Sequence, residues 1–145
     1  MDRTRQLEMK KMIDLFLETG IIRESRAAYY SHAMLVPKPG DKWRFVVDFK
    51  RLNAASKREG WPIPNINPML DRIGDKKPKL FIVLDLTSGY FQTEIDEESR
   101  EYTAFMTNWG LYEWCRLPMG LSGAPSFFSK NVVDSSTKWS IDNSV

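Results

Sequence analysis

The sequence predicts an α+β domain, an antiparallel sheet with flanking helices, and three observations point there. Residues 5–19 carry apolar side chains at helical spacing. Two pairs of short apolar segments, around residues 37–42 and 108–110, are separated by turn residues as hairpins are. Residues 80–84, Leu-Phe-Ile-Val-Leu, form an unbroken apolar run with the length and β-branched middle of a strand buried on both faces.

A chain of 145 residues and 16.9 kDa holds one respectable core, so a single domain is expected. No apolar run approaches the length of a bilayer span and no signal peptide opens the chain. Together these lead to the expectation of an intracellular, cytoplasmic protein with no membrane partner. One cysteine, Cys115, excludes an internal disulfide and a cysteine-based zinc site, and one histidine, His32, argues against a His-centred triad or a His-rich metal site. Both read as packing residues.

The net charge of +2 conceals an asymmetry. Residues 1–80 hold 17 Lys and Arg against 10 Asp and Glu, or +7, whereas residues 81–145 hold 4 against 9, or −5. A basic half beside an acidic half suits a phosphate-rich partner on one side and cations on the other. Chance segregation of surface charge explains it equally well.

In chain order, Met9, Met12, Ile13, Phe16 and Leu17 define the buried stripe of the first helix, with Gly20 as its stop. Residues 33–36 and 43–48 are strand-like and flank a Pro-, Gly- and Asp-containing turn. This hairpin carries Lys38, Lys42 and Arg44, which suit either a triphosphate or a solvated edge guarded by lysines. Residues 51–60 read as polar loop, and Trp61-Pro-Ile-Pro64 as extended backbone. Asn67-Pro68 reads as the cap and first turn of a short helix ending near Gly74. The strand at 80–84 then delivers Asp85 to its end, just before Thr-Ser-Gly must turn. A carboxylate there needs a partner, whether a hydrogen-bond donor, a helix terminus, an Arg or a metal ion. The acidic cluster at 96–101 reads as a solvated turn. Residues 102–107 and 111–117 are the second hairpin, 117–125 a small-residue loop open to close ligand approach, and Ser126 onward the start of a helix. From Asn131 to Val145 the composition becomes Ser- and Asn-rich, so 131–145 is expected to be a disordered tail and 1–130 the folded segment.

Four segments occur in a fixed order: Trp43-Arg-Phe-Val-Val-Asp-Phe-Lys-Arg-Leu-Asn53, Trp61-Pro-Ile-Pro64, Leu84-Asp-Leu-Thr-Ser-Gly-Tyr-Phe-Gln92 and Leu117-Pro-Met-Gly-Leu-Ser-Gly-Ala-Pro-Ser-Phe-Phe128. The series resembles the reverse transcriptases of gypsy-like LTR retrotransposons over residues 7–130. The resemblance implies the partial fingers and palm of a right-hand polymerase, an RNA-directed DNA polymerase acting on a template–primer and dNTP with two Mg²⁺ ions, within a longer polyprotein. It implies that Asp85 is a catalytic carboxylate touching both metals and that the carbonyl of Leu86 adds a ligand. Lys38 and Arg44 resemble residues that grip the triphosphate, Tyr90 the ring that excludes a ribose 2′-hydroxyl, and Met119 and Gly120 the loop against nucleotide and template.

Two departures accompany the resemblance. Lys50 stands where the family usually has Arg, which costs planar phosphate contact. No Asp-Asp pair occurs anywhere, so the aromatic-x-Asp-Asp hairpin that supplies the other carboxylates is missing. The chain by itself is therefore expected to be inactive. A non-catalytic nucleic-acid-binding remnant and a pseudogene product without selected function are the alternative readings.

Overall fold

A computed structural model describes residues 2–57, 62, 63, 65–83 and 85–142, with side chains to residue 134. The first helix, α1 (Arg3–Glu18), follows the predicted stripe: Met9 and Ile13 are buried, and Met12, Phe16 and Leu17 pack against the same core. Thr19 closes α1 by donating its amide to Leu15 O, and Gly20 turns the chain at φ +72°, a conformation a β-carbon disfavours. The short strand β1 (Ile22–Glu24) follows at once, an element too brief to show a period in the sequence.

The first hairpin forms as expected from β2 (Ser31–Lys38) and β3 (Lys42–Val47), reversed through Gly40 and Asp41, both at positive φ. The second joins β4 (Phe105–Thr107) to β5 (Gly110–Trp114). The five strands make one sheet in the order β1-β5-β4-β2-β3. It is mixed rather than wholly antiparallel, because β2 and β4 run parallel with Ser31 opposite Phe105. The long stretch of chain between them permits this, since parallel neighbours need an extended crossover. Phe45, Phe105 and Trp114 meet α1 through Phe16 in an aromatic core with ring centroids 5.5–6.1 Å apart. Each such side chain removed from water contributes about 1.5–3 kcal/mol.

Four expectations are corrected. Part of the loop predicted at 51–60 is helix α2 (Lys50–Ala55), started by Asp48 Oδ1 accepting from Lys50 N at 3.1 Å and anchored by the buried ring of Phe49 just before it. The helix α3 (Ile66–Asp75) is capped by Asn65, whose side chain accepts from Asn67 N, so the cap lies two residues earlier than expected. The apolar run at 80–84 is neither paired nor buried over its described residues: Leu80 is 77% and Val83 88% exposed. A strand needs a neighbour for its backbone groups, and no described strand lies alongside it. Finally, α5 (Ala124–Asp142) crosses the boundary expected after Lys130 and keeps the backbone helical to Asp142. Leu84, Trp61 and Pro64 lie outside the described residues.

The remaining expectations concern single residues. Cys115 is buried, as a packing residue should be. His32 instead stands on the exposed face of β2, its ring edge-on to Tyr30 at 6.1 Å. The acidic cluster forms α4 (Glu97–Arg100) and a following 3-10 turn, and one of its carboxylates, that of Glu97, makes ion pairs. Glu97 contacts both Arg23 and Arg100, and Arg100 also reaches Glu94.

Candidate active site

The hairpin register decides where the basic side chains go. Lys38 lies opposite Lys42, and Val36 opposite Arg44. Cross-strand partners share a face and alternate residues change face, so Lys38, Lys42 and Arg44 stand together on the outer face, all exposed. Leu35, Phe45 and Val47 occupy the inner face and reach the core. Trp43, also on the inner face, takes the guanidinium of Arg5 from α1 over its ring at 4.8 Å, an attraction worth about 0.5–1 kcal/mol where exposed. Sequence reasoning brought Lys38 and Arg44 to one place, and the structure does the same.

Asp85 and Leu86 lie between the apolar run and a tight turn, and both are exposed. The expectation of a buried strand end with a neutralising partner is not met. No hydrogen bond or ion pair joins Asp85 to another described side chain. After it, Ser88 takes the left-handed conformation at φ +49°, and Gln92 Nε2 donates back to Thr87 O at 2.8 Å. The turn presents Tyr90 half-buried against Phe128 of α5, ring centroids 5.1 Å apart. Phe91 points the other way and stacks on Trp114 at 5.8 Å, which fixes the turn to the core. Gly89 allows this geometry, because a β-carbon there would meet Phe128 Cζ at 2.8 Å.

The loop after β5 begins with the buried Leu117 and carries Met119, 60% exposed, at its apex. Gly120 follows at φ +101°, where a β-carbon would sit 3.6 Å from Phe49 and 3.7 Å from Val47 O. The loop thus lies against the base of the hairpin, and Asn53 of α2 bonds it on both sides of Leu121. Two residues that sequence reasoning left without a role now have one. No local signal in the sequence marks either, because each contact joins residues far apart in the chain.

A cavity of about 560 Å³ opens beside this loop, lined in part by Leu52, Asn53, Leu117, Leu121, Tyr102 and Phe127. None of the predicted site residues lines it.

Among the described residues no group of three or more His, Cys, Asp or Glu side chains is close enough to hold an ion. Clamping two divalent cations requires several converging carboxylates. Asp85 with the Leu86 carbonyl does not fit a metal pair without further ligands. Among the described residues a clear electrostatic perturbation lies elsewhere, where Arg23 hydrogen-bonds Glu97 and Glu113 and its guanidinium is held more firmly protonated than usual. The same hydrogen bond from Arg23 keeps the Glu97 carboxyl below its ordinary value.

A right-hand polymerase segment, fingers hairpin joined to the start of a palm, is the class of protein that this arrangement defines. The profile of the family described as "Reverse transcriptase (RNA-dependent DNA polymerase)" matches residues 36–142. The Retrovirus-related Pol polyprotein from transposon opus of Drosophila melanogaster is 44% identical over 132 residues, covering 88% of this chain and 13% of its own length. The corresponding polyprotein from transposon gypsy of the same fly is 42% identical over 124 residues, covering 81% and 12%. Among solved structures, the native Prototype Foamy Virus Protease-Reverse Transcriptase superposes with a TM-score of 0.77 at 26% identity, over 92% of this chain and 18% of that one. A foamy viral protease-reverse transcriptase in complex with double-stranded DNA gives 0.75 at 25%, over 92% and 23%. The chain belongs to the reverse transcriptase family, and it spans only 12–13% of the transposon relatives. The match runs past Lys130 to residue 142, as α5 does.

Proposed function

We propose that this chain is the fingers and early palm segment of an RNA-directed DNA polymerase, working on a template–primer and dNTP inside a longer polyprotein. The family match over residues 36–142 carries the reading. In it, Lys38 and Arg44 bind the incoming triphosphate through charge-assisted hydrogen bonds. Met119 and Gly120 bring the backbone close to the nucleotide, and Tyr90 closes the space a ribose 2′-hydroxyl needs. Reverse transcriptases generally use divalent metal ions. Asp85 and the Leu86 carbonyl are proposed as ligands of Mg²⁺, in a site for two ions that is completed by carboxylates outside these 145 residues.

The test is RNA-templated primer extension by the longest open reading frame containing this chain. That protein extends the primer in Mg²⁺, Asp85→Ala does not, and the 145-residue chain alone does not. Equal extension by the Asp85→Ala protein sinks the assignment of Asp85, and Mg²⁺-dependent extension by the chain alone overturns the need for outside ligands.

The outer hairpin face supports a second reading, binding of nucleic acid without catalysis, because Lys38, Lys42 and Arg44 stand exposed on it together. Such binding falls with a log–log salt slope of about −2 to −3 for three phosphate contacts. Magnesium-independent binding of that slope by a long open frame that extends no primer favours this reading over the first.

A further inference from the structure

Asn53 is the side chain that ties the Met119–Gly120 loop to the rest of the molecule. Its Nδ2 donates to Gly120 O at 2.9 Å and its Oδ1 accepts from Ser122 N at 2.8 Å. These bonds reach across 67 and 69 residues of sequence, so they are tertiary and not part of a local turn. Among the described residues they are the hydrogen bonds that fix the loop apex to another element. On either side, Leu117 N is held by Thr93 O, and Ala124 N turns back onto Leu121 O within the loop itself.

The chemistry selects an amide. A carboxamide donates and accepts at once, whereas a carboxylate only accepts and a hydroxyl is too short to span both groups. The backbone of Asn53 is itself fixed, because its main-chain N–H donates to Phe49 O at 2.8 Å and Phe49 is buried two residues after β3. A continuous path therefore runs from the hairpin carrying Arg44, through Phe49 and α2, to Gly120. A misplacement of about 1 Å at a reacting centre has large kinetic consequences, so the spacing between the two halves of a nucleotide site needs such a tie.

We propose that Asn53 is a positioning residue that holds the Met119–Gly120 loop in register with Lys38 and Arg44 for nucleotide binding. This rests on the reading of that loop as a nucleotide contact, and the experiment separates the two. Amide exchange and chemical shifts are followed in the longest open reading frame containing this chain, with Mg²⁺ and a template–primer, before and after a deoxynucleoside triphosphate is added. In the parent, triphosphate shifts the amides of Arg44 and Gly120 together. In Asn53→Ala, the Ser122 amide exchanges at least about tenfold faster, the Gly120 response is lost and the Arg44 response persists. Asn53→Asp keeps the Ser122 protection but loses the Gly120 response, because only the acceptor is retained.

Unchanged Ser122 exchange, or an unchanged Gly120 response, in Asn53→Ala overturns the proposal, provided Tyr112 and Trp114 amides stay protected. Should Asn53→Ala lose that protection, Asn53→Asp carries the decision by the Gly120 response, whose loss with Ser122 still protected supports the proposal and whose persistence overturns it. A parent chain whose Gly120 ignores triphosphate while Ser122 exchange still rises in Asn53→Ala overturns the nucleotide reading of the loop. The positioning role falls with it, and Asn53 is then a structural clamp only.

Discussion

The body of the molecule and the stretch from residue 62 to 86 are built from similar apolar residues and end in opposite states. Around the sheet, Phe105 and Ile13 have no exposed surface, and Phe16, Phe45 and Trp114 interlock. In the other stretch, Ile66 and Leu70 of α3 and the residues from Leu80 to Val83 face solvent. Hydrophobicity drives burial only where a complementary surface exists. The body contains both of its own layers, α1 and the sheet, while the described residues offer the stretch no second layer. The four consecutive exposed apolar residues from Leu80 to Val83 mark an interaction surface or an aggregation hazard.

Substitutions in the two regions should have very unequal consequences. Phe105→Ala removes a ring touching Phe45, Tyr112 and Trp114, and should cost about 3–5 kcal/mol in chemical denaturation. A cost below about 1 kcal/mol would mean the body is no better packed than the stretch. Arg23→Ala comes next. It strips the Nε and Nη2 donors from Glu113, a carboxylate only 6% exposed, and leaves it with Ser25. A buried charged acceptor so stranded costs about 1–3 kcal/mol.

The same cluster gives a pH dependence. The folded-state carboxyl of Glu97 is depressed by its hydrogen bond from Arg23, so its contribution is present above the unfolded carboxylate value. That contribution is lost as pH falls through the lower folded value. Parent stability should therefore decline on acidification below about pH 4 more steeply than that of Arg23→Ala. Parallel denaturation series across pH 3–6 check this, and identical slopes would refute it.

Gly89→Ala forces Phe128 to give way at a 2.8 Å approach. Because a ring edge can shift, the cost should be about 1 kcal/mol, with a displaced Tyr90 ring seen as changed aromatic resonances. Smallest of all, Val83→Ser should change stability by less than about 0.5 kcal/mol, as exposed substitutions do, while reducing self-association in light scattering. A loss of stability comparable to that of Phe105→Ala would place Val83 in a packed layer and erase the contrast.

How much was legible in the sequence follows the same division. The stripe from Met9 to Leu17 and both hairpins were readable, because their signals are local: a 3.6-residue period, a 2-residue period and turn residues. Lys38 and Arg44 sharing a face follows from those same periods. The site's supporting contacts were not readable. Asn53 bonding to Gly120 and Phe128 closing over Gly89 join residues far apart in sequence, and no local pattern encodes them.

Local signals in the sequence were therefore enough for the first helix, the two hairpins, the order of the four family segments and the basic face of the first hairpin. The parallel pairing of β2 with β4, the tie from α2 to the Gly120 loop and the exposed state of the run that leads to Asp85 arise only in the assembled fold. The reason is physical. Local periodicity states which face an element wishes to bury, but burial and pairing are completed by a partner, and the partner's presence is a property of the assembled chain.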